Sequence, residues 1–262
     1  MSILFDLDGV FYQGGQPVEG GAEVAAWVKK NNIAHLFITN TSSVPRKSLV
    51  TRLAKFGIHT DETHILTPAV ATASWLRKNT HAHNIALFIP EATQIEFKDF
   101  SLWHGNNTPV EAVIIGDLGE RWTFDILNQA FRLLMQQPQP QLIALGMTRY
   151  WQAEDGLRLD VAPFVAALEH ATGIQAQVIG KPASAFYQAA LDRLKTEPEK
   201  TIMVGDDIRG DVAGAQSAGM QGVLVKTGKY RPEDMQQGIQ PNAILNSIAD
   251  LPDWWRQQAN IN

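Results

Sequence analysis

Short apolar runs alternate with amphipathic stretches along this chain. Ile3-Leu4-Phe5-Asp6 has the pattern of a buried strand that stops at acids, and Gly9 lets the chain turn sharply after it. Residues 18–31 place Val24, Trp27 and Val28 on one helical face. Ala34-His35-Leu36-Phe37-Ile38 is a second apolar strand. It gives way to the polar run Thr39-Asn40-Thr41-Ser42-Ser43, and a helix over 45–56 follows, closed by Gly57. Thr67-Pro68 reads as an N-cap with proline at the first helical position, opening a helix to about Asn79. This βαβ rhythm predicts a parallel sheet with helices on both faces.

The polar segment 79–83 interrupts the rhythm, and a second α/β stretch begins. Strands are expected at 85–89, 112–115, 142–145 and 176–179, and helices at 124–136 and 161–172. Residues 136–141 read as a linker loop. Beyond Gly180, Thr201-Ile202-Met203-Val204 is another buried strand that ends in Gly205-Asp206-Asp207. A helix over 211–218 and a strand over 222–226 follow it. The expected organisation is an α/β core of Rossmann-like parallel-sheet type, made of residues 1–78 and 180–262. An α/β domain of residues 79–179 is inserted into it.

Composition narrows the function classes. The chain has 262 residues, and its net charge of −5 gives no basic excess for nucleic acid or an anionic membrane. It has no cysteine, which excludes disulfides, thiolate catalysis and zinc–thiolate sites. Asp6 and Asp8 interrupt the N-terminal apolar stretch, so no signal peptide is read, and no apolar run reaches the length of a membrane span. A cytoplasmic protein is expected.

Strand ends carry the chemistry. Asp6 and Asp8 follow the first strand, Thr39 and Asn40 the second, and Asp206 and Asp207 a later one, with Asp211 a short loop beyond. Lys181 precedes Pro182 and a helix. Taken singly, each has a structural explanation: a solvated acidic turn, a capping loop, a surface lysine, a first-turn helix acid. Together they would crowd five carboxylates into one volume. Two such charges about 4 Å apart repel by about 4 kcal/mol at an effective dielectric near 20, so a cation is required. Oxygen ligands without Cys or paired His favour a hard divalent ion, Mg2+. Thr39, Asn40 and Lys181 would then hold an anion, a set that suits phosphoryl transfer with an aspartate nucleophile. A phosphoacceptor signalling domain combines similar groups, but the large insertion and the acid at position 8 oppose that reading.

Asp6-Leu7-Asp8-Gly9-Val10, Thr39-Asn40, Lys181-Pro182 and Gly205-Asp206-Asp207 resemble the four ordered motifs of the haloacid dehalogenase (HAD) superfamily of phosphatases. The stretches from Gly205 to Met220 and from Lys226 to Arg231 resemble the subfamily with a large C2-type cap after the second motif. Gly156-Leu157-Arg158-Leu159-Asp160 narrows the likeness to the phospholysine phosphohistidine inorganic pyrophosphate phosphatase group. The resemblance implies that Asp6 attacks phosphorus and becomes a phosphoaspartate. It makes Asp8 the general acid and base. Mg2+ would be held by Asp6 and Asp206 through carboxylates and by Asp8 through its carbonyl, with Asp207 or Asp211 in direct contact or supporting. Leu7, Thr39, Asn40 and Lys181 would bind the phosphate of a small phosphorylated substrate. Phosphohistidine, phospholysine and pyrophosphate are the substrates this implies, with nucleotide or sugar phosphates as the alternative.

Remaining signals are weaker. Residues 222–229 echo a phosphate loop with the wrong spacing, and His81 and His83 lie in a polar boundary segment. Asn40-Thr41-Ser42 and Asn106-Asn107-Thr108 match glycosylation sequons, which mean nothing without secretion. The seven tryptophans read as core or interface residues. The exception is the loop Thr148-Arg149-Tyr150-Trp151, whose last three residues are expected to face substrate. A homodimer through the inserted domain is also expected.

Overall fold

The computed structural model describes residues 1–105, 108–153 and 155–259, so Asn106 and Asn107 of the second sequon lie outside the described residues. The chain forms two compact units. One comprises residues 1–39, 46–66 and 181–262, and the other comprises residues 40–45 and 67–180.

The first unit is built on a six-stranded parallel sheet. Its order across the sheet is Ala243–Leu245, Gln221–Val225, Thr201–Gly205, Ser2–Asp6, His35–Ile38 and Ile65–Leu66. Numbered along the chain, that order is 6-5-4-1-2-3, the doubly wound arrangement whose strand direction of travel reverses between strands 1 and 4. Both central strands are apolar and fully buried, as strands covered on both faces must be. Phe5, Phe11 and Phe37 pack edge-to-face and stacked at centroid distances of 5.2 to 5.9 Å. This cluster anchors the chain on the far side of Asp8 to the same sheet that carries Asp6.

The second unit has a five-stranded parallel sheet in the order Gln177–Val178, Gln141–Ala144, Ala112–Ile115, Asn84–Phe88 and Ser101–Leu102. Helices Phe124–Leu134 and Val161–Thr172 are capped by Thr123 and Asp160, whose side chains accept from Ile126 N and Val161 N. A core including Val113, Ile115, Leu134, Leu142 and Val165 joins them to the sheet.

Most expected elements lie where the hydrophobic pattern puts them, and among the differences are the following. The expected helix over 211–218 is a π-helical turn, Ile208–Ala213, that runs into a one-turn α-helix, Gly214–Ser217. The cause is Asp207, whose Oδ1 accepts from both Arg209 N and Gly210 N and so starts the turn earlier. The expected loop at 148–151 is partly a strand: Tyr150–Ala153 pairs antiparallel with Gly156–Leu159. A small hairpin, Tyr12–Gln13 with Gln16–Pro17, follows Asp8, and its two-residue strands are too short to show alternation. Among the described residues, no helix is long and apolar enough to cross a membrane.

Candidate active site

Asp6 is the last residue of the first strand, at the point where the sheet order reverses. In open α/β sheets this is the crevice outside the carboxyl ends where ligands bind. Strand register aligns the rest: Phe5 pairs with Val204 and Asp6 with Ile38, so Asp206 and Thr39 both emerge beside Asp6. The π turn then brings Asp211 back over the same sheet end.

Carboxylate oxygens of Asp6, Asp206 and Asp211 lie within 4.8 Å of one another, and all three residues are buried. Lys181 Nζ stands 2.7 Å from Asp6 Oδ1 and 2.7 Å from Asp211 Oδ1. Asp6 Oδ1 also accepts from Leu7 N at 2.8 Å. Asp211 Oδ2 accepts from Asp207 N at 3.1 Å, and Asp206 Oδ2 accepts from Lys229 N at 2.6 Å. Asp206 Oδ1 is buried and has no partner. A buried acceptor without a donor is costly, more so for a carboxylate, and this oxygen belongs to the cluster with Asp6 and Asp211.

One ammonium cannot balance three carboxylates. Burial opposes the Lys181 charge, but Asp211 and Asp6 outweigh it and raise its pKa. Burial, then the charges of Asp6 and Asp211, push the Asp206 carboxyl up to about 8. Asp211 is raised as well, by burial and then by Asp6, in spite of its bond to Lys181. The site therefore takes up either protons or a cation. Three oxygen donors, an excess of negative charge and an unpartnered buried oxygen fit a hard divalent ion.

Other residues singled out by the sequence are placed as follows. Asp8 reaches solvent, and its carboxylate is outside the converging three. Partial burial and the Asp6 charge raise its pKa. Asp207 is turned away from the cluster: its oxygens cap the π turn and lie 3.4 Å from Lys229 Nζ. Burial raises its pKa, but Gly210 N–H, the Lys229 charge and Arg209 N–H bring the net shift downward. Thr39 is buried and its N–H donates to Leu66 O at 3.2 Å. Asn40 belongs to the second unit, beside Gly180. Arg149, Tyr150 and Trp151 are also in the second unit, and Tyr150 and Trp151 are exposed on the hairpin.

Sequence reasoning passed over three contributors. Tyr187, on the helix Ser184–Leu194 that follows Lys181-Pro182, donates its hydroxyl to Gly210 O at 2.6 Å and so holds the π turn from below. Thr227 and Lys229 bind the acid-bearing loops from the other side. A buried tyrosine within seven residues of the lysine was the available signal for the first. The run Lys226-Thr227-Gly228-Lys229 was visible as part of a subfamily likeness and as an imperfect phosphate loop, but neither signal gave it a contact with Asp206 or Gly9. A separate cleft of about 550 Å3, lined by Lys29, His35, His64 and Arg193, opens at the amino end of the second strand, away from the carboxylates.

Comparisons with known proteins agree with this geometry. Residues 3–102 match the family described as haloacid dehalogenase-like hydrolase, and residues 178–251 match the family described as HAD-hydrolase-like. The chain is 37% identical to phospholysine phosphohistidine inorganic pyrophosphate phosphatase of Rattus norvegicus, over 96% of this chain and 92% of that protein. It is 38% identical to haloacid dehalogenase-like hydrolase domain-containing protein 2 of Bos taurus, over 93% of this chain and 90% of that one. Among solved structures, p-nitrophenyl phosphatase from Archaeoglobus fulgidus superposes with a TM-score of 0.87 at 27% identity, covering 97% of this chain and 98% of that chain. A doubly wound core with acids at its switch point, and relatives of this similarity over nearly the full length, lead to one conclusion: the chain belongs to the haloacid dehalogenase-like hydrolases, as a phosphatase of that family.

Proposed function

We propose that this phosphatase is Mg2+-dependent and hydrolyses small phosphorylated molecules through a phosphoaspartate on Asp6. The observation that carries the reading is the environment of Asp6. One of its oxygens is tied to Lys181 at 2.7 Å, and the neighbouring Asp206 keeps a buried oxygen with no donor. Asp6 and Asp206 would hold the ion by their carboxylates and Asp8 by its carbonyl, with Asp211 supporting. Bound there, Mg2+ supplies charge balance and polarises the phosphoryl oxygens.

The chain's own groups do the rest. A carboxylate oxygen of Asp6 forms a bond to phosphorus as the bond to the leaving group breaks. Asp8, exposed and with a raised pKa, is suited to give its proton to the leaving group. It then takes a proton from the water that attacks the phosphoaspartate, releasing phosphate and restoring Asp6. Lys181, Thr39, Asn40 and the Leu7 amide are assigned to the phosphoryl oxygens. The second unit is assigned the role of a substrate-selecting cap, with Arg149, Tyr150 and Trp151 as its contact residues.

Phospholysine, phosphohistidine and inorganic pyrophosphate stand in the name of the Rattus norvegicus relative, and we assign the same class to this chain. The test is a panel of phosphorylated compounds that includes these three with nucleotide and sugar phosphates, read as phosphate release with and without Mg2+. Metal-dependent release, highest on phosphoramidates or pyrophosphate, is expected. A phosphorylated chain that accumulates without releasing phosphate would instead mark a phosphoacceptor domain.

A further inference from the structure

The turn Thr227-Gly228-Lys229 has no part in the mechanism above. It follows strand Gln221–Val225, which lies beside Thr201–Gly205. Three contacts join it to the acid-bearing loops. Lys229 N–H donates to Asp206 Oδ2 at 2.6 Å. Thr227 Oγ1 donates to the carbonyl of Gly9, the residue after Asp8. The backbones of Gly228 and Gly9 then pack with no room for a side chain between them. A Cβ at Gly228 would stand 1.9 Å from Asp206 Oδ2 and 2.5 Å from Gly9 Cα, and a Cβ at Gly9 would stand 1.9 Å from the same oxygen. Both glycines have positive φ, +79° at Gly9 and +56° at Gly228, which other residues adopt only with strain.

A carboxylate rotates about a broad, two-fold torsion, so something must fix its plane and keep one oxygen aimed at the site. Here Oδ2 is taken by the Lys229 amide, and Oδ1 is the one left unpartnered in the cluster with Asp6 and Asp211. We propose that the Thr227–Lys229 turn is a positioning element for the reaction: it sets the rotation of the Asp206 carboxylate and, through the Gly9 carbonyl, the backbone that carries Asp8. One clamp would thus serve both the ion and the acid/base. The inference rests on the reading in which Asp206 holds a divalent ion and Asp8 moves the proton.

Partners that orient a metal ligand are typically worth 10–100-fold in metal affinity or activity. Thr227→Val keeps the shape and removes the hydroxyl, Thr227→Ser returns it, and Gly228→Ala pushes a methyl at Asp206 Oδ2. The measurements are Mg2+ affinity by calorimetry without substrate, Tm of the metal-free protein, and kcat and KM for pyrophosphate. The expected result for Thr227→Val is Mg2+ affinity and kcat each lower by about tenfold or more. KM at saturating Mg2+ and the metal-free Tm should stay near wild type, Thr227→Ser should restore both losses, and Gly228→Ala should lose more. A Thr227→Val protein with a lower metal-free Tm but wild-type Mg2+ affinity would make the turn merely structural and overturn the proposal, as would wild-type affinity and kcat in both turn variants. Asp206→Asn separates the two levels. If it binds Mg2+ like wild type, the metal reading itself fails. If it loses Mg2+ while both turn variants keep it, only the positioning role fails.

Discussion

Lys181 Nζ and Asp211 Oδ1 meet at 2.7 Å with both side chains withdrawn from water, 4% and 0% exposed. Such a pair is hard to replace one partner at a time. Removing the cation leaves two buried carboxylates facing each other, and breaking a buried pair from one side costs roughly 3–5 kcal/mol. Lys181→Met should therefore lose about that much stability in urea unfolding, on top of its loss of activity. Adding Asp211→Asn should recover part of it. A loss well below this range in the single variant would mean that water already screens the pair.

Asp6→Asn should abolish turnover and leave the fold intact. An asparagine still offers Oδ1 to Leu7 N and Lys181 Nζ, and it removes one of three converging charges. The metal-free Tm should hold or rise. Wild-type turnover in the purified variant would rule out a covalent intermediate at this position.

Stability of the metal-free protein should fall as pH rises from about 4 to about 8. The Asp206 carboxyl is pushed up to about 8 by burial and then by Asp6 and Asp211. In that window the folded state binds more protons than the unfolded chain, whose carboxyls titrate near 4. The stabilisation is complete below the unfolded pKa and is lost as pH passes through the folded one. Mg2+ needs the ionised carboxylates, so it should raise Tm more at about pH 8 than at about pH 5, with protons released on binding. Calorimetry at both pH values, with and without the ion, measures this. An equal Mg2+ shift at both would place the ion elsewhere.

Chelation should stop catalysis, and excess Ca2+ should inhibit it. Calcium accepts higher coordination numbers and longer bonds, which would displace Asp6 from the phosphorus. Assays after exhaustive chelation, then with Mg2+ and Ca2+ in competition, decide the matter. Full activity without added metal is the contrary result.

Trp151→Ala should change substrate preference rather than stability. Trp151 is 45% exposed and sits opposite Arg158 on the hairpin, so its truncation leaves no deep cavity. The same holds for the exposed Tyr150. Ratios of kcat/KM on a small and a large substrate, measured with Arg149→Ala alongside, should shift while Tm stays within a few degrees. Equal losses on both substrates together with a lower Tm would make these residues structural.

The sequence made the sheet and its acids legible for one reason: buried parallel strands are apolar runs, and the polar residues that end them stand out. Asp6, Thr39 and Asp206 were all found this way. What it hid was direction. Asp207 and Asp211 look alike as neighbours of one motif, yet Asp207 caps a π turn and Asp211 enters the cluster, because Tyr187 and Lys181 hold the turn over the sheet. Contacts at a separation of over two hundred residues, such as Thr227 to Gly9, leave no periodic trace. Neither do the two-residue strands Ile65–Leu66 and Ser101–Leu102.

The pairing of Ser2 with Thr201 has a further meaning for a chain that is made from one end. On the ribosome, Asp6 emerges well before Thr201–Gly205, so one whole side of its strand stays unpaired until nearly two hundred more residues have been added. Residues 67–180 form a compact unit of their own and are complete before that moment. Until Thr201–Gly205 emerges, that side of the first strand is an apolar edge open to wrong partners, of the kind chaperones shield. Such non-local pairing also folds slowly. Asp6 is thus made well before the strand beside it, and its cluster with Asp206 and Asp211 assembles only after Thr201–Gly205 has emerged.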